Sequence, residues 1–234
     1  MPPAPVSPRA ERPRLSRERV LLGAMAVADA GGLDALTIRS LAQQLGVKPM
    51  TVYYYVANKE EILDGIIDLV FSEIELPLID GDWRQELLRR AESARRTLRA
   101  HPWAIGLMES RTTPGPATLR HHDVVIAALR GAGFSPEATA HAYALLDSYT
   151  YGFALQEAGL PFEGTGTVAD VAEPIMEQFA VGEYPHLEAM AIEYYLRPGY
   201  DFGDEFAWGL NLILDGLASS ATPATRPAPA GEPA

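Results

Sequence analysis

Between Leu36 and Lys59 the chain reads LTIRSLAQQLGVKPMTVYYYVANK, a short stretch that gathers cationic, hydroxylated and aromatic side chains suited to a nucleic-acid duplex. Arg39 offers a planar fork that matches the paired acceptors on a guanine edge, and Lys48 reaches either a phosphate or such an edge. Tyr53, Tyr54 and Tyr55 supply hydroxyls for phosphate oxygens and rings for sugars or thymine methyls, with Pro49, Met50 and Thr51 beside them. Core packing with one hydroxyl in solvent explains a single tyrosine but not the whole run.

Two helices around a tight turn must hold these groups. Thr37 is placed to cap a first helix whose apolar positions Ile38, Leu41, Ala42 and Leu45 recur at a spacing of three and four residues. Gly46 ends it in a backbone conformation open to glycine, and Val47 plugs the angle that follows. Pro49 starts a second helix, expected to run from Met50 to Val56, with Val52 and Val56 toward the core. Asn58 and Glu61 form a capping-box pair for the next helix. This is the helix-turn-helix layout, in which the second helix enters the major groove.

LTIRSLAQQLGVKPMTVYYYVANKEEIL resembles the N-terminal domain of TetR-family transcriptional repressors, a similarity that extends from Val20 to Asp64. In that family a leading helix, here Ser16 to Ala30, braces the helix-turn-helix, and a long following helix links it to the rest. The resemblance implies base reading by Arg39, Pro49, Met50 and Thr51. It implies phosphate contacts by Thr37, Tyr53, Tyr55 and Lys59, with Tyr54 open to either role. Lys59 also opens a helix whose positive end favours phosphate.

The net charge of −12 divides along the chain: residues 1–60 hold eight Lys and Arg against five Asp and Glu, leaving +3 there and −15 in the remainder. The positive excess lies where phosphate is to be met, including Arg9, Arg12, Arg14, Arg17 and Arg19, which form either a solvated arm or a groove-binding one. The 234 residues contain no cysteine, which excludes disulfides and thiolate metal sites. No apolar run approaches the roughly 18 residues of a membrane span, so a cytoplasmic protein is expected.

Beyond Glu60 the pattern stays helical, and an all-α fold follows. A linker helix is expected from Lys59 to Leu76, then helices from Asp82, Pro102, Ala117 and Ser135, shorter pieces near 174–179 and 185–195, and a last helix over 203–219. The arginines Arg89, Arg90, Arg95, Arg96 and Arg99 are expected on a solvated face. The domain division is a disordered basic arm over 1–14, a three-helix DNA-binding domain over 15–60, a larger helical effector-binding and dimerisation domain over 61–219, and a disordered tail over 220–234.

Two apolar stripes look like subunit contacts: Leu145, Tyr149, Gly152 and Phe153 on one helix, and Phe206, Leu210, Ile213, Leu214 and Leu217 on the last. A competing reading makes both stripes core of a single chain. The second domain resembles the ligand-binding half of the tetracycline-repressor branch, and that resemblance implies a four-helix interface in a homodimer and a small-molecule effector. Glu75, Ser148 and Gln156 stand where tetracycline-responsive members carry drug- and metal-binding groups, a set that argues against tetracycline with magnesium. Trp103, Met108, His122, Tyr143, Asp147 and Tyr151 are the effector-site candidates.

Catalysis is not expected, nor is a cofactor or metal. His121, His122, Asp123, His141 and Asp147 are the one cluster worth testing, but adjacent histidines diverge by about 100° on a helix. The expectation is a homodimeric regulator, in that family most often a repressor, that binds a palindromic double-stranded operator and leaves it when an effector enters. An architectural DNA-binding protein without effector is the alternative, and a helical enzyme a distant third.

Overall fold

The computed structural model describes residues 14–108, 110–160 and 182–219, with positions 174, 178 and 221. Arg9 and Arg12 of the basic arm, the glycines at 164 and 166, most of the piece expected at 174–179 and nearly all of the tail lie outside the described residues. Among the described residues every regular element is a helix. Two compact units divide the chain, Met1–Ile66 and Ile67–Ala234.

In the first unit, α1 spans Arg17–Ala35, with Ser16 accepting from the Arg19 amide and a break at Gly31 and Gly32. α2 spans Ile38–Leu45. Thr37 and Ser40 cap it reciprocally, each hydroxyl accepting from the other residue's backbone N–H. Gly46 closes it at φ 67° and ψ 34°, the left-handed conformation that disfavours a side chain, and donates to Ala42 and Gln43. α3 is only Pro49–Val52. The expected continuation to Val56 is a tighter turn instead, in which the Tyr54 and Tyr55 amides reach back three residues to Thr51 and Val52. So short a helix is not self-supporting. Val52 and Val56, both buried beside the core that holds Leu41 and Ala42, fix it in place.

α4 spans Lys59–Glu73, beginning in the first unit and ending in the second, and stops short of the expected Leu76. α5 spans Trp83–Ala100, capped by Asp82, which accepts from the Gln85 amide at 2.9 Å. A 3₁₀ turn at Pro102–Ala104 leads to α6, Pro116–Gly131, and α7, Pro136–Ala158. α8 is Pro185–Met190, continued by a π-helical turn at Ala191–Tyr195, and α9 is Asp204–Ala218. α5 lies along α7, and α9 packs on both. Their shared core includes Leu87, Leu129, Leu146, Phe206, Leu210 and Leu214, each worth about 1.5–3 kcal/mol of burial.

The arginines of α5 do not share one solvated face. Arg89 and Arg96 reach outward to Glu75, but Arg90 is only 1% exposed, because it occupies the apolar stripe of Leu87, Ala91, Ala94 and Leu98. Arg95 is half-buried, paired through both oxygens with Glu157 at 2.6 and 2.9 Å, and lies over the rings of Phe153 and Phe206. It also donates to the Gly203 carbonyl, tying the end of α7 to the start of α9.

Candidate nucleic-acid interface and buried polar site

The DNA-contact candidates stand where solvent reaches them. Met50 is 70% exposed and Tyr54 85%, on a segment whose neighbours Val52 and Val56 are buried. Pro49 occupies the first helical position of α3 and Lys48 its N-cap, both exposed; Tyr53 is exposed, while Thr51 and Tyr55 are half-buried. Arg39 on α2 and Lys59 at the first residue of α4 are exposed as well. An apolar thioether and a phenol this open have no packing role inside the unit. The exposed Thr37 hydroxyl already accepts from the Ser40 amide, so a phosphate contact there is shared with the cap.

The unit that displays these groups is held by Glu61. One oxygen of its carboxylate accepts from the Ala57 amide at 2.7 Å and the other from Arg17 at 3.1 Å, while its own amide donates to Asn58 at 2.8 Å. The Ala57 hydrogen bond, followed by Arg17, holds the carboxyl below its ordinary pKa against the opposing effect of partial burial. Arg17 is therefore part of the scaffold through Glu61.

The second unit contains a different kind of site, assembled by α4, α5, α6 and α7. Arg90 Nη1 lies 2.7 Å from Asp147 Oδ1, and its Nε and Nη2 lie 3.2 and 2.7 Å from His121 Nε2. Since an arginine only donates, His121 Nε2 is the acceptor and Nδ1 carries the proton. That Nδ1 has no hydrogen-bond partner in its buried position. Burial, the Arg90 charge and then His122 lower the His121 pKa to about 3, so the ring is neutral. Burial alone would lower the pKa of Arg90, but Asp147 beside it raises it. The Tyr151 hydroxyl donates to Asp147 Oδ2 at 3.5 Å, and Tyr143 is hydrogen-bonded to His122 Nδ1. Burial, and then the negative charge of Asp147, push the Tyr143 phenol up. Phe71 of α4 sets its ring 5.2 Å from His121 and 5.6 Å from His122.

Four of the effector candidates, His122, Tyr143, Asp147 and Tyr151, thus meet in one cluster. Trp103 is half-buried with its ring 6.0 Å from His101, and Met108 is buried after the 3₁₀ turn. Arg90 and Phe71 were absent from the candidates, and His121 entered only as a metal or acid–base candidate. The signal for Arg90 was its place on an apolar stripe, and for His121 its alignment with Thr118, Val125 and Leu129 along α6. The two adjacent histidine rings stand 6.0 Å apart and 85° to one another, and Asp123 and His141 face solvent.

Comparison with known proteins matches residues 77–221 to the profile described as "Tetracyclin repressor-like, C-terminal domain", and residues 20–66 to that of "Bacterial regulatory proteins, tetR family". The chain belongs to the TetR family. It is a DNA-binding transcriptional regulator of the TetR type and not an enzyme. The HTH-type transcriptional repressor DrrR1 of Streptomyces coeruleorubidus is 33% identical over 218 residues, covering 89% of this chain and 79% of that protein. Tetracycline repressor protein class A from transposon 1721, of Escherichia coli, is 32% identical over 211 residues, 88% of this chain and 91% of that one. The crystal structure of the Streptomyces coelicolor TetR family protein ActR in complex with actinorhodin superposes with a TM-score of 0.73 at 28% identity, covering 89% of this chain and 99% of that one.

Within this TetR-type unit the expected subunit contacts need correction. Phe153, Phe206, Leu210, Leu214 and Leu217 are buried inside the protomer, Leu210 completely, because α9 lays that stripe against α5 and α7 of its own chain. Tyr149 is half-buried and donates to the Glu205 and Phe206 carbonyls, so it too serves the internal joint. Leu145 is exposed, while Gly152 and Ile213 are half-buried. The opposite faces are the open ones: Leu145 and Leu155 on α7, Leu212 on α9 and Trp208 beside it at 67% exposure. The residues at the tetracycline positions differ in their surroundings. Glu75 is held by Arg89 and Arg96, whereas Ser148 and Gln156 face solvent.

Proposed function

We propose that this chain is a homodimeric repressor acting inside the cell, which binds a palindromic double-stranded operator and releases it when a small molecule enters the Arg90 cluster. The observation that carries this reading is the exposure of Lys48, Pro49, Met50, Tyr53 and Tyr54, flanked by Arg39 and Lys59, side chains for which the core of the unit has no use. Arg39, Pro49, Met50 and Thr51 read base edges; Thr37, Tyr53, Tyr55 and Lys59 grip phosphates, Lys48 and Tyr54 contributing to either.

One helix-turn-helix meets one half-site, and a two-fold dimer places the second recognition helix about 34 Å away, one turn of DNA. The exposed Leu145, Leu155, Trp208 and Leu212 support a subunit contact through α7 and α9, with Gly152 and Ile213 at its edge. An effector that prefers one spacing of recognition helices over another by about 1–3 kcal/mol changes operator occupancy 5- to 150-fold. ActR is bound to actinorhodin in its crystal structure. Here the candidate contacts are His122, Tyr143, Asp147 and Tyr151, with Trp103 in the 3₁₀ turn that packs on α7 and Met108 shortly after that turn.

Selection of bound fragments from genomic DNA, followed by titration of the recovered operator, tests the central claim. Nanomolar binding at moderate salt is expected, and failure to bind any duplex in dilute buffer would overturn it. Trp208→Asp is expected to yield monomers in sedimentation, and an intact dimer would remove α9 from the contact.

A further inference from the structure

α8 and its π-helical continuation carry apolar side chains that the described part of the chain leaves open. Leu187, Met190, Ile192, Tyr194 and Tyr195 are all exposed, Ile192 by 58%. Among the described residues α8 packs mainly on that continuation rather than on α5, α6 or α7. The rings of Tyr194, Tyr195 and Tyr200 gather at centroid distances of 5.2–5.6 Å and stand 68–80° to one another, so that ring edges and faces alternate across the surface. Contiguous open apolar surface of this kind marks a contact completed by another molecule.

Charge indicates what completes it. Residues 182–205 hold six Asp and Glu against one Arg, a net −5. Glu205 accepts from the Tyr194 hydroxyl at 2.7 Å. Burial, then Glu205 and more weakly Asp201, push the Tyr200 phenol up to about 12, which places negative charge beside the rings. Two such faces set against each other would bring like charges together, which disfavours a second copy of α8 as the cover. The chain holds a segment of opposite character. Residues 2–14 read PPAPVSPRAERPR, with three Arg against one Glu. Pro2, Pro5 and Pro8 recur every three residues, the period of a polyproline II helix, and so share one edge of it. Aromatic surfaces take such edges well, because the extended helix loses little entropy on binding. The lengths agree: Pro2 to Pro8 spans about 19 Å as polyproline II, and Pro185 to Tyr195 about 16 Å as helix.

We propose that the tyrosine face of α8 and its π-helical continuation is a docking site for residues 2–14 of a second copy of the chain, with the prolines on the rings and the arginines toward the carboxylates. The rings supply the proline contact and the surrounding charge selects a basic segment over an acidic one. Neither part depends on the DNA contacts.

The test titrates the full chain with a fluorescein-labelled peptide of residues 1–14 and repeats the titration with a benzophenone at position 6 of the peptide, so that mass spectrometry locates the contact. Saturable binding at low salt, weakening as salt rises, and photoadducts within residues 184–205 are expected. Glu193→Lys and Tyr195→Ala should each weaken binding by about 5-fold or more. A peptide with Pro2, Pro5 and Pro8 replaced by alanine keeps every charge and should weaken to a similar degree. Absence of saturable binding, adducts outside residues 184–205, or an alanine peptide that binds as well as the natural one overturns the proposal. If Tyr195→Ala does not fold, Glu193→Lys and the alanine peptide decide the matter, and unchanged affinity in either overturns it. Because no duplex is present, failure here leaves the DNA-binding reading standing, and failure of that reading leaves this site standing.

Discussion

The recognition segment and the Arg90 cluster draw on the same kinds of side chain, cations and aromatic rings, but they differ in where the partners come from. Met50, Tyr54, Arg39 and Lys48 face solvent and leave their chemistry to be completed from outside. Arg90, His121 and Asp147 are buried and draw their partners from within, Arg90 meeting both of the others across α5, α6 and α7, although His121 Nδ1 is left without one. Removing a group from the first set should change binding and leave folding alone; removing one from the second should do the reverse, because it strands a charge in the interior.

Arg90→Leu probes that contrast most strongly. It leaves Asp147 buried and unpaired, with an expected loss of about 3–5 kcal/mol in urea unfolding, and a loss below about 1 kcal/mol would place the pair in an effectively aqueous setting. The double change Arg90→Met with Asp147→Leu should recover most of that stability. Arg39→Ala should melt like wild type while losing roughly 1–3 kcal/mol on the preferred operator; an equal loss on unrelated duplex would make Arg39 a phosphate contact.

His121 sharpens the comparison through pH. Its folded pKa of about 3 lies below the ordinary 6.5, so on acidification the unfolded chain takes up a proton before the folded one does. Stability therefore falls as pH drops from about 6.5 toward 3, by up to about 1.4 kcal/mol per pH unit from this group. His121→Gln should flatten the dependence by that amount in urea titrations between pH 7 and 4.5, and parallel profiles would mean that the ring titrates normally. The smallest effect is at Lys59. Its replacement by alanine should weaken all duplexes alike and reduce the salt slope by about 0.9; an unchanged slope removes it from the phosphate contacts.

The same contrast explains what could be read from the residues alone. Thr37, Gly46 and Pro49 act on neighbours within four positions, so capping, turn and helix start were legible from local spacing. The length of α3 was not, because the tyrosines that follow Val52 remain compatible with helix until the chain turns to seat Val56. Arg90 lies one position from Arg89 and about 100° around the helix, a shift that carries it from solvent into the core, and its partner Asp147 is far along the chain. The α9 stripe was legible as a covered face. Periodicity does not say what covers it, and Leu210 proved to be enclosed by α5 and α7 of its own protomer.

Glu61 has a practical consequence for anyone wishing to transplant the operator preference of this protein onto a relative. Exchanging Lys48 to Tyr55 would move the reading groups while leaving behind the carboxylate that clasps Ala57 and the guanidinium of Arg17 that holds it. A faithful graft has to include these two residues, 44 positions apart, or the borrowed letters will be presented at the host's angle.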